Sequence, residues 1–544
     1  MSRSFWGWGA DGSGVTPAEQ TMLEARVAPL VGSELSWQQS PEIGQISLPA
    51  TRATLPDSLA ELLTATPTDR ASHTYGKSFR DIVRGLAGDF SAAPDLVAYP
   101  ATEADITRIL DWASEVDAIL VPYGGGSSVV GGVETPVEVR GDRPVISLDM
   151  SRLSGVLEVD RHSRAARIAA GTYGPALEAE LRPLGLTLRH YPQSFEFSTL
   201  GGWLATRSGG HFATLHTHLD DFVESIRAIT PTGEWESRRL PGSGAGPSPD
   251  RILLGSEGTL GVITEAWMRV QDRPHFRSSF VGRFTSFSGA CNAARLLAQS
   301  GLWPQNCRVL DALEAFVNGF GDGSSHLLLV AFESAHLSVS HVSQAAVEIV
   351  RHAGGYVDSG AGQGGERPDR SRFEGNDRST PADDAERWRD SFLRAPYLRD
   401  GLLRLGLISE TFETAITWDR FDEFVEGVRA ATIAALLAEG CGPTPILSCR
   451  LTHVYPDGAA PYFTVIAPGR PGVERLKQWQ AVKDAAMDAI ALLGGTVTHH
   501  HAVGRDHRRG YDQQAPATFI RGIRAMKKEL DPTGMLNPGV LFNC

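Results

Sequence analysis

The chain has 544 residues and a mass of 58.5 kDa, too long for one hydrophobic core and enough for two or three domains of ordinary size. Apolar residues make up 42% and charged residues 21%, which argues against disorder because the apolar surface suffices to offset the entropy of ordering. The net charge of −13 argues against a nucleic-acid partner, whose recognition needs clustered Lys and Arg, but it leaves room for a local arginine site that holds a small anion. Cys291, Cys307, Cys441, Cys449 and Cys544 show no CxxC spacing, as expected for a reducing cytosol without a disulfide framework or zinc site. The opening MSRSFWGWGADGSG lacks a basic stretch followed by an apolar core, and no run of about eighteen apolar residues occurs. Neither export nor a membrane span is expected, and a cytoplasmic location is.

In chain order, residues 1–90 read as a helical extension with loops. After DLVAYP, Thr102 offers an N-cap to EADITRILDWASEV, whose apolar residues recur at helical spacing. AILVPY then predicts a buried strand that runs into a glycine cluster. VISLDM, VLEVD and ARIAAG predict further strands, and GPALEAELRPLG a helix. Strands followed by more strands, rather than a regular alternation with helices, predict an α+β fold. From residue 273 the helices ACNAARLLAQSG and FDEFVEGVRAATIAALLAEG alternate with the strands HLLLVAFES and YFTVIAP. Within that region, 360–387 is a polar insertion rich in Gly, Pro and Arg. MKKELDPTGMLNPGVLF predicts a helix stopped by DPTG and then a short extended tail. The expected division is 1–90, 91–272, 273–495 and a C-terminal segment, 496–544.

PYGGGSSVVGG, Pro122 to Gly132, places five glycines and two serines in eleven residues. Small residues let the backbone approach a ligand, and successive N–H groups suit a pyrophosphate. It matches neither GxGxxG nor GxxxxGK[ST]. Two more glycine- and hydroxyl-rich segments follow, PQSFEFSTLGGWLATRSGGH from Pro192 and LLGSEGTLGVITEA from Leu253. In this order the three segments resemble the FAD-binding domain of the vanillyl-alcohol oxidase superfamily. The resemblance implies a PCMH-type FAD-binding domain of two subdomains, with an α/β cap domain for substrate and a non-covalent FAD. Its implied contacts are Pro122, Gly124, Gly125, Gly126, Ser127, Ser128, Gly132, Pro192, Ser198, Thr199, Gly201, Gly202, Thr206, Gly255, Glu257, Gly258, Gly261, Val262 and Ile263. The family's histidine tether to flavin lies in the first loop, so His211 of RSGGH is expected to be a loop or surface histidine.

The triplet in THHHAVGRDHRRGY, His499 to His501, admits three readings: a tag remnant, a metal site, or catalysis. Tags sit at termini and usually carry six histidines. A metal site needs further ligands of matched geometry. Hydroxy-acid dehydrogenases of the superfamily carry a metal-binding HxGDGNxH and a later GEHG. This chain reads THVYPDGAAPYF and THHHAVG in those places, so no metal is expected. SETFETAITWDR, SCRLTHVYPDGAAPYF, GGTVTHHHAVG and FWGWG instead resemble the alkyldihydroxyacetonephosphate synthase family. Departures are the 360–387 insertion and the hydroxy-acid-dehydrogenase-like ending DPTGMLNPGVLF.

That resemblance implies an enzyme that exchanges the acyl group of acyl-dihydroxyacetone phosphate for a fatty alcohol through a flavin adduct, without net oxidation. The alternative is an FAD-dependent glycolate or D-lactate dehydrogenase or oxidase. By family position, His500 and His501 move protons, Tyr462 protonates the departing carboxylate, and Arg399 is the active-site cation. Arg308, Arg450 and Thr411 are implied as substrate contacts. On a strand, His499 and His501 would face one side and His500 the other, so a shared site requires a turn. His507, Arg508 and Arg509 read as a solvated charged turn. Lipid-type small molecules are the expected partners, with peripheral membrane contact and a homodimeric assembly.

Overall fold

The computed structural model describes residues 3–31, 35–212, 214, 217–320, 322–358, 365–366 and 384–542. Most of the expected 360–387 insertion therefore lies outside the described residues. Thr102 caps the helix Glu103–Glu115. Its hydroxyl accepts the Asp105 N–H, and the Asp105 carboxylate accepts the Thr102 N–H, a reciprocal capping box. Ile106, Ile109, Leu110 and Ala113 then face inward, where they share one core with Leu120, Ile146 and Leu148 on one side and Ile229 and Val262 on the other. One amphipathic helix thus packs against two sheets at once.

The first sheet runs Leu63–Thr64, Leu96–Ala98, Val145–Asp149, Ile119–Tyr123. Its last three strands are parallel. The central strands are buried on both faces, which explains their unbroken apolar reading. The second sheet is antiparallel, ordered Val156–Asp160, Ala165–Ala169, Val262–Arg269, Val223–Thr230, Gly233–Glu236. The third has nine strands among the described residues. Its main path runs Tyr356–Val357, Phe276–Phe284, His326–Ser334, Asn306–Leu310, Ile446–Val454, Gly458–Pro468, Leu407–Glu413. Helices Phe287–Gln299, Ser340–His352, Phe421–Ala438 and Glu474–Leu492 supply the apolar side chains that cover it. This is an α+β architecture.

Both chain ends return to the first sheet. Leu120 donates to the Met535 carbonyl at 2.9 Å, and Asn537 donates back to Leu120 at 2.9 Å, so the tail lies beside the strand that feeds the glycine cluster. Near the start, the Arg3 guanidinium reaches the Gly124 carbonyl at 3.2 Å and Asp149 at 2.6 Å. The Trp8 N–H donates to Asp400 at 2.6 Å. Four of the five cysteines, Cys291, Cys307, Cys441 and Cys449, are buried free thiols.

Candidate active site

Between the first two sheets lies a cleft. Of the residues expected to contact a cofactor, Pro122, Gly124, Ser128, Gly132, Thr199, Gly201, Gly202, Thr206, Glu257, Gly258, Gly261, Val262 and Ile263 line it, joined by Tyr123, Val133, Met150, Ala170 and Ala205. Gly125, Gly126, Ser198 and Gly255 stand behind these walls. A Cβ on Gly125 would lie 1.9 Å from the Phe197 carbonyl, one on Gly126 would strike the Tyr123 ring, and one on Gly255 would crowd Arg207. Ser198 is held by the indole N–H of Trp203 at 2.6 Å. The Pro192 carbonyl caps a turn by accepting the Phe195 N–H, and Ser127 is half-buried. A cleft walled by close-packed peptide and small residues fits an extended dinucleotide whose pyrophosphate takes backbone N–H groups.

The histidine triplet is a bend, not a strand. The buried Glu413 carboxylate, at the end of strand Leu407–Glu413, accepts the Thr498 hydroxyl at 2.6 Å and the backbone N–H groups of His499, His500 and His501 at 2.5, 3.0 and 2.9 Å. Ala502 takes a φ of +71°, and Glu257 then accepts the Val503 and Gly504 N–H groups at 2.9 and 2.8 Å. Glu257 therefore lines the cleft and holds the same turn. Its buried position pushes its carboxyl up to about 7 against those two hydrogen bonds. For Glu413 burial works in the same upward direction, but the imidazoles of His500, His501 and His499 and the Thr498 hydroxyl hold it well below the usual carboxylate range.

Wrapped around one carboxylate, consecutive imidazoles fan out instead of alternating. The ring centroids of His499 and His500 lie 5.3 Å apart, and those of His500 and His501 lie 4.8 Å apart. His499 Nδ1 meets His500 Nδ1 at 3.0 Å, while His499 Nε2 meets the Tyr455 hydroxyl at 2.8 Å and His218 Nε2 at 3.2 Å. His453 donates through Nε2 to the Gly210 carbonyl at 3.0 Å. Ring nitrogens of His453, His499 and His500 all lie within 4.8 Å of one another, a spacing at which they could also converge on a cation. Burial lowers His500 to about 3 and His501 to about 4 despite the opposing Glu413 charge. Both imidazoles are neutral at neutral pH.

Register puts the other groups in one row. Glu413 pairs with Tyr462 and Tyr462 with Arg450 across three strands, so all three side chains share a face. The Tyr462 ring stacks 6.2 Å from His500 and meets His501 edge-on at 5.6 Å. The Arg450 guanidinium lies 3.9 Å above the Tyr462 ring and pairs with Glu314 at 2.6 Å. Thr411 hydrogen-bonds the Tyr462 phenol, which burial raises against the pull of Arg450. Arg308 is buried and donates to the His211 carbonyl at 2.8 Å, with burial and Arg450 lowering it to about 9. The structure thus brings together His500, His501, Tyr462, Thr411, Arg450 and Arg308. Arg399 donates to the Lys77 carbonyl at 2.7 Å and to Asp400 at 3.4 Å. The Lys77 N–H in turn donates to the Ser128 carbonyl at 2.6 Å, which places Arg399 behind the glycine loop.

One expectation needs correction and another is met in part. His211 lies in a loop as expected, but not on the surface. It is 7% exposed, with Nε2 at 3.1 Å from the Asn306 amide, because the segment after Arg207 folds under the third sheet. His507 is likewise buried, its Nδ1 on the Ala502 carbonyl at 2.9 Å, and Arg508 ties to the Gly539 carbonyl at 2.9 Å. Of that trio only Arg509 is an exposed charge, paired with Asp488. Glu413, Tyr455 and His218 are additions from the structure, and His499, expected only as a member of the triplet, joins them. A carboxylate ending the strand in SETFET was the one local signal for Glu413, whereas His218 enters through a fold contact that no local pattern announces.

Two family models match the chain, an FAD binding domain over residues 94–237 and the C-terminal domain of FAD linked oxidases over 273–541. An alkyldihydroxyacetonephosphate synthase of Dictyostelium discoideum is 32% identical over 90% of this chain and 79% of its own length. A solved alkyldihydroxyacetonephosphate synthase structure superposes with a TM-score of 0.79 at 25% identity, covering 98% of both chains. A glycolate oxidase subunit of Bacillus subtilis is more distant, at 24% identity over 83% of this chain and 90% of its own.

Proposed function

The chain belongs to the alkyldihydroxyacetonephosphate synthase family, and from that membership we propose that it exchanges the acyl group of acyl-dihydroxyacetone phosphate for a long-chain alcohol, with FAD bound and no net oxidation. The observation that carries this reading is the turn of neutral histidines built on Glu413 and facing Tyr462, with two buried guanidiniums beside it. The glycine segments around Gly124–Gly132 and Gly255–Gly261 would hold the FAD, which would supply a ring able to exchange an electron pair with the substrate carbon.

The protein's own part is proton handling and charge. A fatty alcohol is a poor nucleophile until a base removes its proton, and a neutral imidazole near the reacting carbon does this at neutral pH. His500 and His501 are the two candidates. A departing carboxylate leaves more readily when it receives a hydrogen bond or proton, and the Tyr462 phenol, held un-ionised by burial, is the donor. Arg450 braces that ring from above and Thr411 from its hydroxyl. Buried guanidiniums such as Arg308 offer a planar fork to a phosphate, and Arg399 contributes positive charge from behind the glycine loop. No described helix is long and apolar enough to cross a membrane, so the lipid substrate is reached by peripheral contact in this reading.

Anaerobic mixing with palmitoyl-dihydroxyacetone phosphate and hexadecanol tests it by mass spectrometry. Ether product is expected without any electron acceptor, and His500→Ala is expected to lower its formation by roughly 10²–10⁴-fold. Dye reduction by D-lactate or glycolate with no ether formed would overturn the proposal.

A further inference from the structure

We propose that His218, His499 and His500 form a proton relay whose tautomers are set by the Arg207 carbonyl, leaving His500 Nε2 as the basic atom at the reacting centre. The proposal rests on the synthase reading and names the base within it. A neutral imidazole carries one N–H and one lone pair, and a carbonyl oxygen only accepts. His218 Nδ1 lies 3.2 Å from the Arg207 carbonyl, so Nδ1 carries the hydrogen and Nε2 the lone pair. Facing that lone pair at 3.2 Å, His499 Nε2 must donate. The same N–H reaches the Tyr455 oxygen at 2.8 Å, whose own hydrogen is free to point to Thr217 Oγ1 at 3.3 Å.

His499 Nδ1 is then a lone pair, and His500 Nδ1 donates to it at 3.0 Å. Glu413 Oε2, 3.6 Å from His500 Nδ1, favours the hydrogen on that nitrogen as well. One carbonyl at the far end therefore determines the state of the atom that does chemistry, three imidazoles away. Other groups around the chain are His453, His501, Glu413, Arg308 and Tyr462. His453 is outside the relay because its Nε2 hydrogen is committed to the Gly210 carbonyl.

The proton path balances. As His500 Nε2 takes the alcohol proton, the His500 Nδ1 proton moves to His499 Nδ1, and the His499 Nε2 proton moves to His218 Nε2. His218 becomes an imidazolium at the half-buried edge of the site, and no electrons change hands. Run in reverse, the chain returns a proton for the next turnover. Burial of His499 and His500 disfavours a charge resting on either, which suits a route that passes protons through to a more exposed end.

The test is made on the full chain labelled with ¹⁵N-histidine, with His500 signals assigned by their loss in His500→Ala. His500 is expected as the Nδ1–H tautomer, and an Nε2–H tautomer would overturn the proposal whether or not ether is formed. His218→Ala is expected to lower kcat, toward the smaller end of the roughly 10²–10⁴-fold range for proton-transfer catalysis, with KM little changed and activity restored by added imidazole. His218→Asn, closer in shape, separates folding from proton transfer and is expected to be equally slow. Unchanged kcat in both variants, with ether still made, would sink the relay and leave the synthase reading standing. Activity lost on exhaustive chelation and regained with zinc would also sink it, since the lone pairs would then serve a cation.

Discussion

Among the described residues no Lys or Arg pairs with the buried Glu413 carboxylate, and a carboxylate in such a place costs several kcal/mol. What offsets that cost is the turn itself. Four donors from four consecutive residues converge on its two oxygens, and hydrogen bonds to a charged acceptor contribute about 1.5–3 kcal/mol each. The carboxylate and the histidine turn therefore depend on each other. Glu413→Gln keeps the shape but replaces one acceptor oxygen with an amide that faces other donors. We expect it to lose about 1–3 kcal/mol in urea unfolding and most of the ether-forming activity. Bound flavin absorbance should stay, because Glu413 is outside the cleft. A fully active Glu413→Gln enzyme would show that the turn does not need its anion.

At the scale of elements, two kinds of local pattern behaved differently. The helix Glu103–Glu115 was legible end to end, since Thr102, Asp105 and the apolar spacing each act within a few residues. The glycine cluster was legible as a loop, but the reason for each glycine was not. Gly125 takes an ordinary φ and is required by the Phe197 carbonyl that approaches from seventy residues away, as Gly124 is by the Thr199 hydroxyl. Gly126, at φ +70°, and Gly131, at φ +69°, are glycines by backbone conformation. Gly125→Ala puts a methyl 1.9 Å from a carbonyl oxygen, so one loop must move. The expected outcome is purified protein with little or no bound flavin by absorbance at unchanged helix content. A yellow, fully loaded Gly125→Ala protein would contradict the packing argument.

For the molecule as a whole, the buried histidines set the pH response. Burial depresses His190, His500 and His507 to about 3 and His501 to about 4, from an ordinary value of 6.5. A base whose folded value is lower than its unfolded one stabilises the fold fully above about 6.5, and that stability is lost as pH falls toward the folded value. Glu413, also depressed, adds the same sign at lower pH. Burial raises Glu257 to about 7 and Asp506 to about 6, and these acids oppose the trend between about pH 4 and 7. His326, His453 and His499 are depressed too, and Asp81, Glu196, Asp311 and Asp400 are raised, so among the described residues seven histidines oppose six acids, and the histidines begin to take up protons in the unfolded chain at a higher pH than the acids. The melting temperature is therefore expected to drop from pH 7.5 to pH 5, and less steeply in a His500→Gln/His501→Gln variant. Equal slopes in the two proteins would mean that these imidazoles are not buried in the neutral form.

What the amino-acid order determined by itself were properties that act over short distances or by count. These include the α+β pattern, the capped helix, the buried strand entering a glycine loop, and the motifs that resemble an FAD-binding enzyme of the ether-lipid synthase family. His500, His501, Tyr462 and Arg450 were legible because each stands inside such a motif. Tertiary structure decided how they meet. Whether three consecutive histidines alternate or converge depends on Glu413, which lies more than eighty residues earlier and acts through backbone N–H groups that no side-chain pattern encodes. Which nitrogen of His500 bears the lone pair depends on the Arg207 carbonyl, through His218 and His499. A hydrogen bond has direction, and its direction is set only when the fold brings a carbonyl, which cannot donate, to one end of the chain of rings.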